Sequence, residues 1–156
     1  MRKLFYAFMA VVMMCACSNE REYLSFHGLS LGMPAKAMSD SLQEQGFVLD
    51  SNLTDEGTYV LNSASELCRV DIIHINDTIT DVLESYSASY NDSTCQLWQR
   101  RHDEYQNEFG WPNMNHDSEL HREAVYNTGR GGLVLTLLNT YTPTMTVHYS
   151  VEELKR

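Results

Sequence analysis

Apolar and polar residues follow two different rhythms along this 156-residue chain, and the changes of rhythm mark its elements. The segment Tyr23-Leu24-Ser25-Phe26-His27-Gly28 reads as a short extended piece. Leu31-Gly32-Met33-Pro34 then leads into a helix, with Ala35, Met38 and Leu42 on one face and Gly46 as its stop. Period-two runs follow at 58–62, 67–75 and 78–86. In the second run Cys68, Val70, Ile72 and His74 lie on one side, and Asn76-Asp77 turns the chain into the third. The helical rhythm returns after Ser93 or Thr94, a capping residue, and runs to about Phe109. Leu97, Trp98, Arg101, Tyr105 and Phe109 share its face, and Gly110-Trp111-Pro112 ends it. A polar loop at 113–119 precedes three further extended runs at 123–128, 132–138 and 144–150. Helix, three strands, helix, three strands predicts an α+β fold. The expectation is two helix-plus-three-strand repeats, with the helices packed on one face of an antiparallel sheet.

The first residues obey neither rhythm. Arg2-Lys3 precede an uncharged, mostly apolar stretch at 4–14, too short to cross a bilayer as a stop-transfer helix. It ends in Met14-Cys15-Ala16-Cys17-Ser18, which resembles the lipobox of bacterial lipoproteins. That resemblance implies a signal peptide at 1–16, lipid attachment at Cys17, a linker at 17–22 and a single domain at 23–156. Two or three acyl chains would make the attachment durable. Ser18-Asn19-Glu20-Arg21-Glu22 resembles the acidic surface-export signal of lipoproteins from the Bacteroides group. It implies an outer-membrane protein, periplasmic or surface-exposed.

Charge and cysteine count narrow the picture. The chain carries 11 Lys+Arg against 21 Asp+Glu, and loss of Arg2 and Lys3 with the leader takes the formal balance from −10 to −12. A surface of that sign repels phosphate backbones, so nucleic acid is excluded as a partner class, and the commonest use of such charge is solubility. With Cys15 removed and Cys17 lipidated, Cys68 and Cys95 remain. An even pair in an oxidising compartment predicts one disulfide, worth about 3 kcal/mol; two unpaired thiols are the alternative.

Short motifs extend across the domain. Phe26-His27-Gly28-Leu29, Leu31-Gly32-Met33-Pro34, Gly46-Phe47 and Phe109-Gly110-Trp111-Pro112 together resemble small uncharacterised lipoproteins of the Bacteroides group. The helix-then-strands order also resembles β-lactamase-inhibitor-protein-like domains and the small lipoprotein of the outer-membrane assembly machinery. Those families imply a domain that binds other proteins and catalyses nothing.

Catalytic patterns are missing from the residues themselves. There is no G-x-S-x-G elbow and no S-x-x-K, and adjacent acids such as Asp103-Glu104 point away from one another on a helix. His116 and His121 collect near Asp117, Glu119 and Glu123, at a spacing that fits no closed zinc pattern. Gly129-Arg130-Gly131-Gly132 lies between strands and reads as a hairpin turn. Aromatics remain. Trp98 and Tyr105 are expected to fill the helix–sheet interface, whereas Trp111 and Tyr141, on loops, are the candidates for contact with a partner. The expectation is a lipid-anchored, non-catalytic protein-binding or assembly module, without cofactor or metal, whose partner is another envelope protein. The alternatives are an inhibitor of a secreted hydrolase and an enzyme with an unrecognised site.

Overall fold

The computed structural model describes residues 22–63, 67–87 and 91–154. The expected leader at 1–16 and the lipid-bearing Cys17 lie outside the described residues.

A two-residue hairpin comes first, β1 (Ser25–Phe26) and β2 (Leu29–Ser30). Helix α1 (Ala35–Glu44) leads into β3 (Phe47–Leu49), β4 (Thr58–Ser63), β5 (Cys68–Ile75) and β6 (Thr78–Ser87). Helix α2 (Asn91–Phe109) leads into β7 (Met114–Asp117), β8 (His121–Thr128), β9 (Gly131–Leu138) and β10 (Thr144–Ser150). One sheet of eight strands results, ordered β3-β4-β5-β6-β10-β9-β8-β7, with every neighbouring pair antiparallel.

The expected two helix-plus-three-strand repeats do not form. The described chain is mostly β, 47% strand against 22% helix, and the single large sheet takes four strands after each helix. Two short strands account for the difference. Strand β3 has three residues and follows the helix stop at Gly46 directly, so it carries too few positions for a period-two pattern. Strand β7 reads Met-Asn-His-Asp and is exposed at all four positions, so burial imposes no alternation on it. Both lie at sheet edges, where one side needs no partner.

One sheet face packs beneath the helices. Helix α1 buries Ala35, Met38 and Leu42, and α2 buries Trp98, His102 and Tyr105. Alternation along the central strands brings Val70, Ile72, Val82, Leu135 and Val147 up against them, all essentially inaccessible. Each such side chain contributes roughly 1.5–3 kcal/mol through burial.

Turn chemistry fixes how the pieces meet. His27 and Gly28 both take positive φ (49° and 77°), and so do Asn76 and Asp77 (50° and 63°). Paired positive values are the two-residue geometry that matches the strand twist, and Gly and Asn tolerate it best. The second of these turns also caps α1. Pro34, at the N-cap, offers no side-chain acceptor, and the Asp77 carboxylate instead accepts the N–H of Lys36 at 2.8 Å. The Asp77 carbonyl takes the N–H of Ala35 at 2.9 Å. A residue from the β5–β6 hairpin thus does the work of a local cap.

Candidate functional site

Alternation along β6 places Val82, Glu84 and Tyr86 on the core-facing side. Glu84 is fully buried there, which demands partners for its charge. They converge from four elements. The Tyr86 hydroxyl donates to Glu84 Oε1 at 2.6 Å, and His27 Nε2, from the β1–β2 turn, lies 3.3 Å from the same oxygen. Arg101 Nη2, from α2, is 3.8 Å away and also donates to the Tyr86 hydroxyl at 3.3 Å. The Cys68 thiol, at the start of β5, approaches Oε1 at 3.9 Å. Glu84 Oε2 has no hydrogen-bond partner. Beside this cluster the Tyr105 and Tyr149 hydroxyls share a hydrogen bond of 2.6 Å.

Burial, followed by the charge of Glu84, pushes the Tyr86 phenol far above its ordinary range, so it stays protonated and acts as a donor. Burial would lower Arg101, but the Tyr86 hydroxyl and the Glu84 charge outweigh it and raise the guanidinium. Burial pushes Tyr105 up to about 12 and Tyr149 well above the ordinary phenol value. The cluster is therefore a fixed arrangement of one buried anion, one cation and protonated phenols. What it fixes is the Tyr86 ring.

That ring forms part of the wall of two adjoining depressions at one end of the sheet. The larger is an open groove of about 990 Å³ where β4 and β6 end and β5 and β10 begin. Hydroxyl and amide groups of Asn62, Ser63, Ser85, Ser87, Thr142 and Thr144 line it, with Leu67, Cys68, Arg69, Tyr86 and Tyr141 completing the wall. The smaller, about 350 Å³, shares Leu67, Tyr86 and Ser87 with it and continues along α2 past Ser93, Thr94, Leu97, Arg100 and Arg101. One aromatic is held rigidly and the other, Tyr141, is fully exposed. Such a groove can stack a planar or apolar group and satisfy an extended chain of polar groups.

The residues singled out in the sequence are divided between different places. Tyr141 belongs to the groove wall, whereas Trp111, 81% exposed in the turn after α2, lines neither depression. Trp98 and Tyr105 are buried under α2 as expected of interface fillers. No disulfide joins Cys68 to Cys95 in this structure: the Cys68 thiol faces Glu84, and Cys95 is half-buried on α2. His116 and His121 bring their rings to 5.2 Å, but no group of three metal-ligating side chains forms among the described residues. His74 and His102 are stacked on Tyr59 and Trp98. The buried anion itself went unnoticed in the sequence. Its mark was a glutamate at a core-side position of an alternating run, two residues from Val82 and two from Tyr86.

Among the described residues no helix is long and apolar enough to cross a membrane. Comparison of the chain with known protein families, with curated proteins and with solved structures found no match.

Proposed function

We propose that the chain is a lipid-anchored envelope protein whose domain is a non-catalytic binding module, holding an extended segment of another envelope protein in the groove at the end of the sheet. The observation that carries the reading is the pairing of a preorganised aromatic, Tyr86, with a fully exposed one, Tyr141, across a groove lined by small hydroxyl and amide side chains. Rigid aromatics supply contact area at low entropic cost, and the surrounding donors and acceptors suit a polypeptide backbone. The lipid on Cys17, implied by Ala16-Cys17-Ser18, holds the domain at the membrane surface where such partners reside.

The test is recovery of partners from the native envelope with the lipidated protein as bait, comparing the parent chain with Tyr141→Ala. Tyr141 is on the surface, so its truncation leaves the fold intact. One stoichiometric protein recovered by the parent and reduced about tenfold or more with Tyr141→Ala is the expected result. Equal recovery by both proteins would remove the groove as the binding site.

A further inference from the structure

The smaller depression differs from the larger in charge. Positions 93, 97, 100 and 101 of α2 fall on one side of the helix, so the pocket runs from the helix start towards two arginines. Arg101 is already occupied, with Glu84 Oε1 at 3.8 Å and Glu104 Oε2 at 3.5 Å. Arg100 is exposed and makes no ion pair among the described residues. In a domain where acids far outnumber bases, a cation with no ion pair among the described residues, set beside a pocket, is conspicuous. The pocket also sits at the positive end of a 19-residue helix, where first-turn N–H groups have no intrahelical acceptor.

A helix start alone is no site, and the second observation is Thr94. It lines this pocket, is only 2% exposed, and its Oγ1 has no hydrogen-bond partner. Buried hydroxyls are rarely left without a partner, because they forfeit their hydrogen bonds to water with nothing in return. Its oxygen has almost no accessible surface, so an acceptor seated in the pocket would satisfy it once the side chain turns to present the hydroxyl.

We infer that the smaller pocket is an oxyanion subsite taking a carboxylate, with Arg100 as its cation and the Thr94 hydroxyl as a donor. The inference rests on the groove reading above and extends it: the bound segment ends at this pocket, and the carboxylate is its C-terminal one. The shared wall of Leu67, Tyr86 and Ser87 makes the two depressions continuous. A residue side chain beside Tyr86 therefore places its own terminal carboxylate within reach of α2.

The experiment is an amide-resolved NMR titration of the soluble domain with N-acetyltyrosine, N-acetyltyrosinamide and inorganic phosphate, each at millimolar concentration. The expected result is saturable shifts at Thr94, Leu97 and Arg100 with the acid, absent with the amide. The shifts weaken with added salt, fall about tenfold or more in affinity with Arg100→Gln, and fall measurably with Thr94→Val. Equal binding of acid and amide, or acid binding unchanged in Arg100→Gln, overturns the subsite. No acid binding overturns it too, and so does binding of phosphate in place of the acid. The two readings fail separately, because equal binding of acid and amide that is lost in Tyr141→Ala leaves the groove standing without its anion pocket.

Discussion

Glu84 and Arg101 form a charge pair with unequal exposure, and that inequality sets what each substitution should cost. Glu84 is wholly buried, whereas the Arg101 side chain keeps 27% of its surface and has Glu104 as a second partner. Arg101→Met would leave an anion in the core with no cation but His27 beside it, its other neighbours being the Tyr86 hydroxyl and the more distant Cys68 thiol. Breaking a buried pair from that side costs about 3–5 kcal/mol. Glu84→Met would leave a cation that can turn to Glu104 and to water, so its cost should be smaller, about 1–3 kcal/mol. The paired change Glu84→Met with Arg101→Met removes both charges and puts apolar volume beside Val82 and Val147. Its cost should be only about 1–2 kcal/mol, much of it from the Tyr86 hydroxyl losing both its partners. The coupling across the cycle is then at least about 2 kcal/mol in the sense that each charge needs the other. Urea unfolding followed by circular dichroism, with all four proteins at one pH and salt concentration, measures it through the shift in midpoint at constant slope. Single costs that add to within about 0.5 kcal/mol would refute the pairing argument, as would Arg101→Met proving milder than Glu84→Met.

Two further outcomes follow from features outside the groove. Asp77→Ala removes the acceptor that caps α1 from the β5–β6 turn, and should cost about 1–2 kcal/mol in urea unfolding. Asp77→Asn, which tolerates the positive φ and keeps an acceptor, should recover most of it, and equal losses would show that the negative charge at the helix start, rather than the acceptor oxygen, is responsible. Stability should also fall in alkali. Tyr105 is raised from its ordinary value of 10.0 to about 12 by burial, so its contribution is fully present below pH 10 and is lost as pH rises through 12, a change of about 2–3 kcal/mol. Denaturant midpoints across that window, together with the tyrosinate absorbance band, report it, and a flat midpoint up to pH 12 would show that these hydroxyls are not held protonated by the fold.

Much of the local structure could be read from residue pattern, for identifiable reasons. Ala35, Met38 and Leu42 mark α1, and the face built on Trp98 and Tyr105 marks α2 through its end at Phe109, where Gly110 takes φ 84°. The runs from 58 to 62, 67 to 75 and 144 to 150 coincide closely with β4, β5 and β10, because each has one buried side. The edge strands β3 and β7 stayed hidden because a short or uniformly exposed strand leaves no alternation. Without them the helices took on too large a share of the fold. The site was harder still. Tyr141 could be found as an aromatic in a loop, but the groove needs the ends of four strands side by side, and strand order is not written in local periodicity. Trp111 shared every sequence attribute of Tyr141 and lies elsewhere. Asp77 shows the same limit from another direction: its hairpin turn is evident in Asn76-Asp77, whereas its service to a helix more than 40 residues earlier is not.

The β6–β10 seam has a consequence for how the chain reaches this state. Every other pairing in the large sheet joins strands that are consecutive along the chain, so each half can zip up through short loops. The seam alone joins distant segments: Thr144 opposes Ser87 and Ser150 opposes Asp81, across a span that contains α2 and three other strands. Closing so long a loop carries its entropic cost before any contact is made, which places seam formation late in folding and makes it the natural rate-limiting event. Glu84 and Tyr86 lie on one side of that seam, opposite Val147 and Met145 on the other. Until the last ladder closes, the buried anion has no core around it, and the Tyr86 wall of the groove acquires its fixed form only when the two halves of the sheet meet.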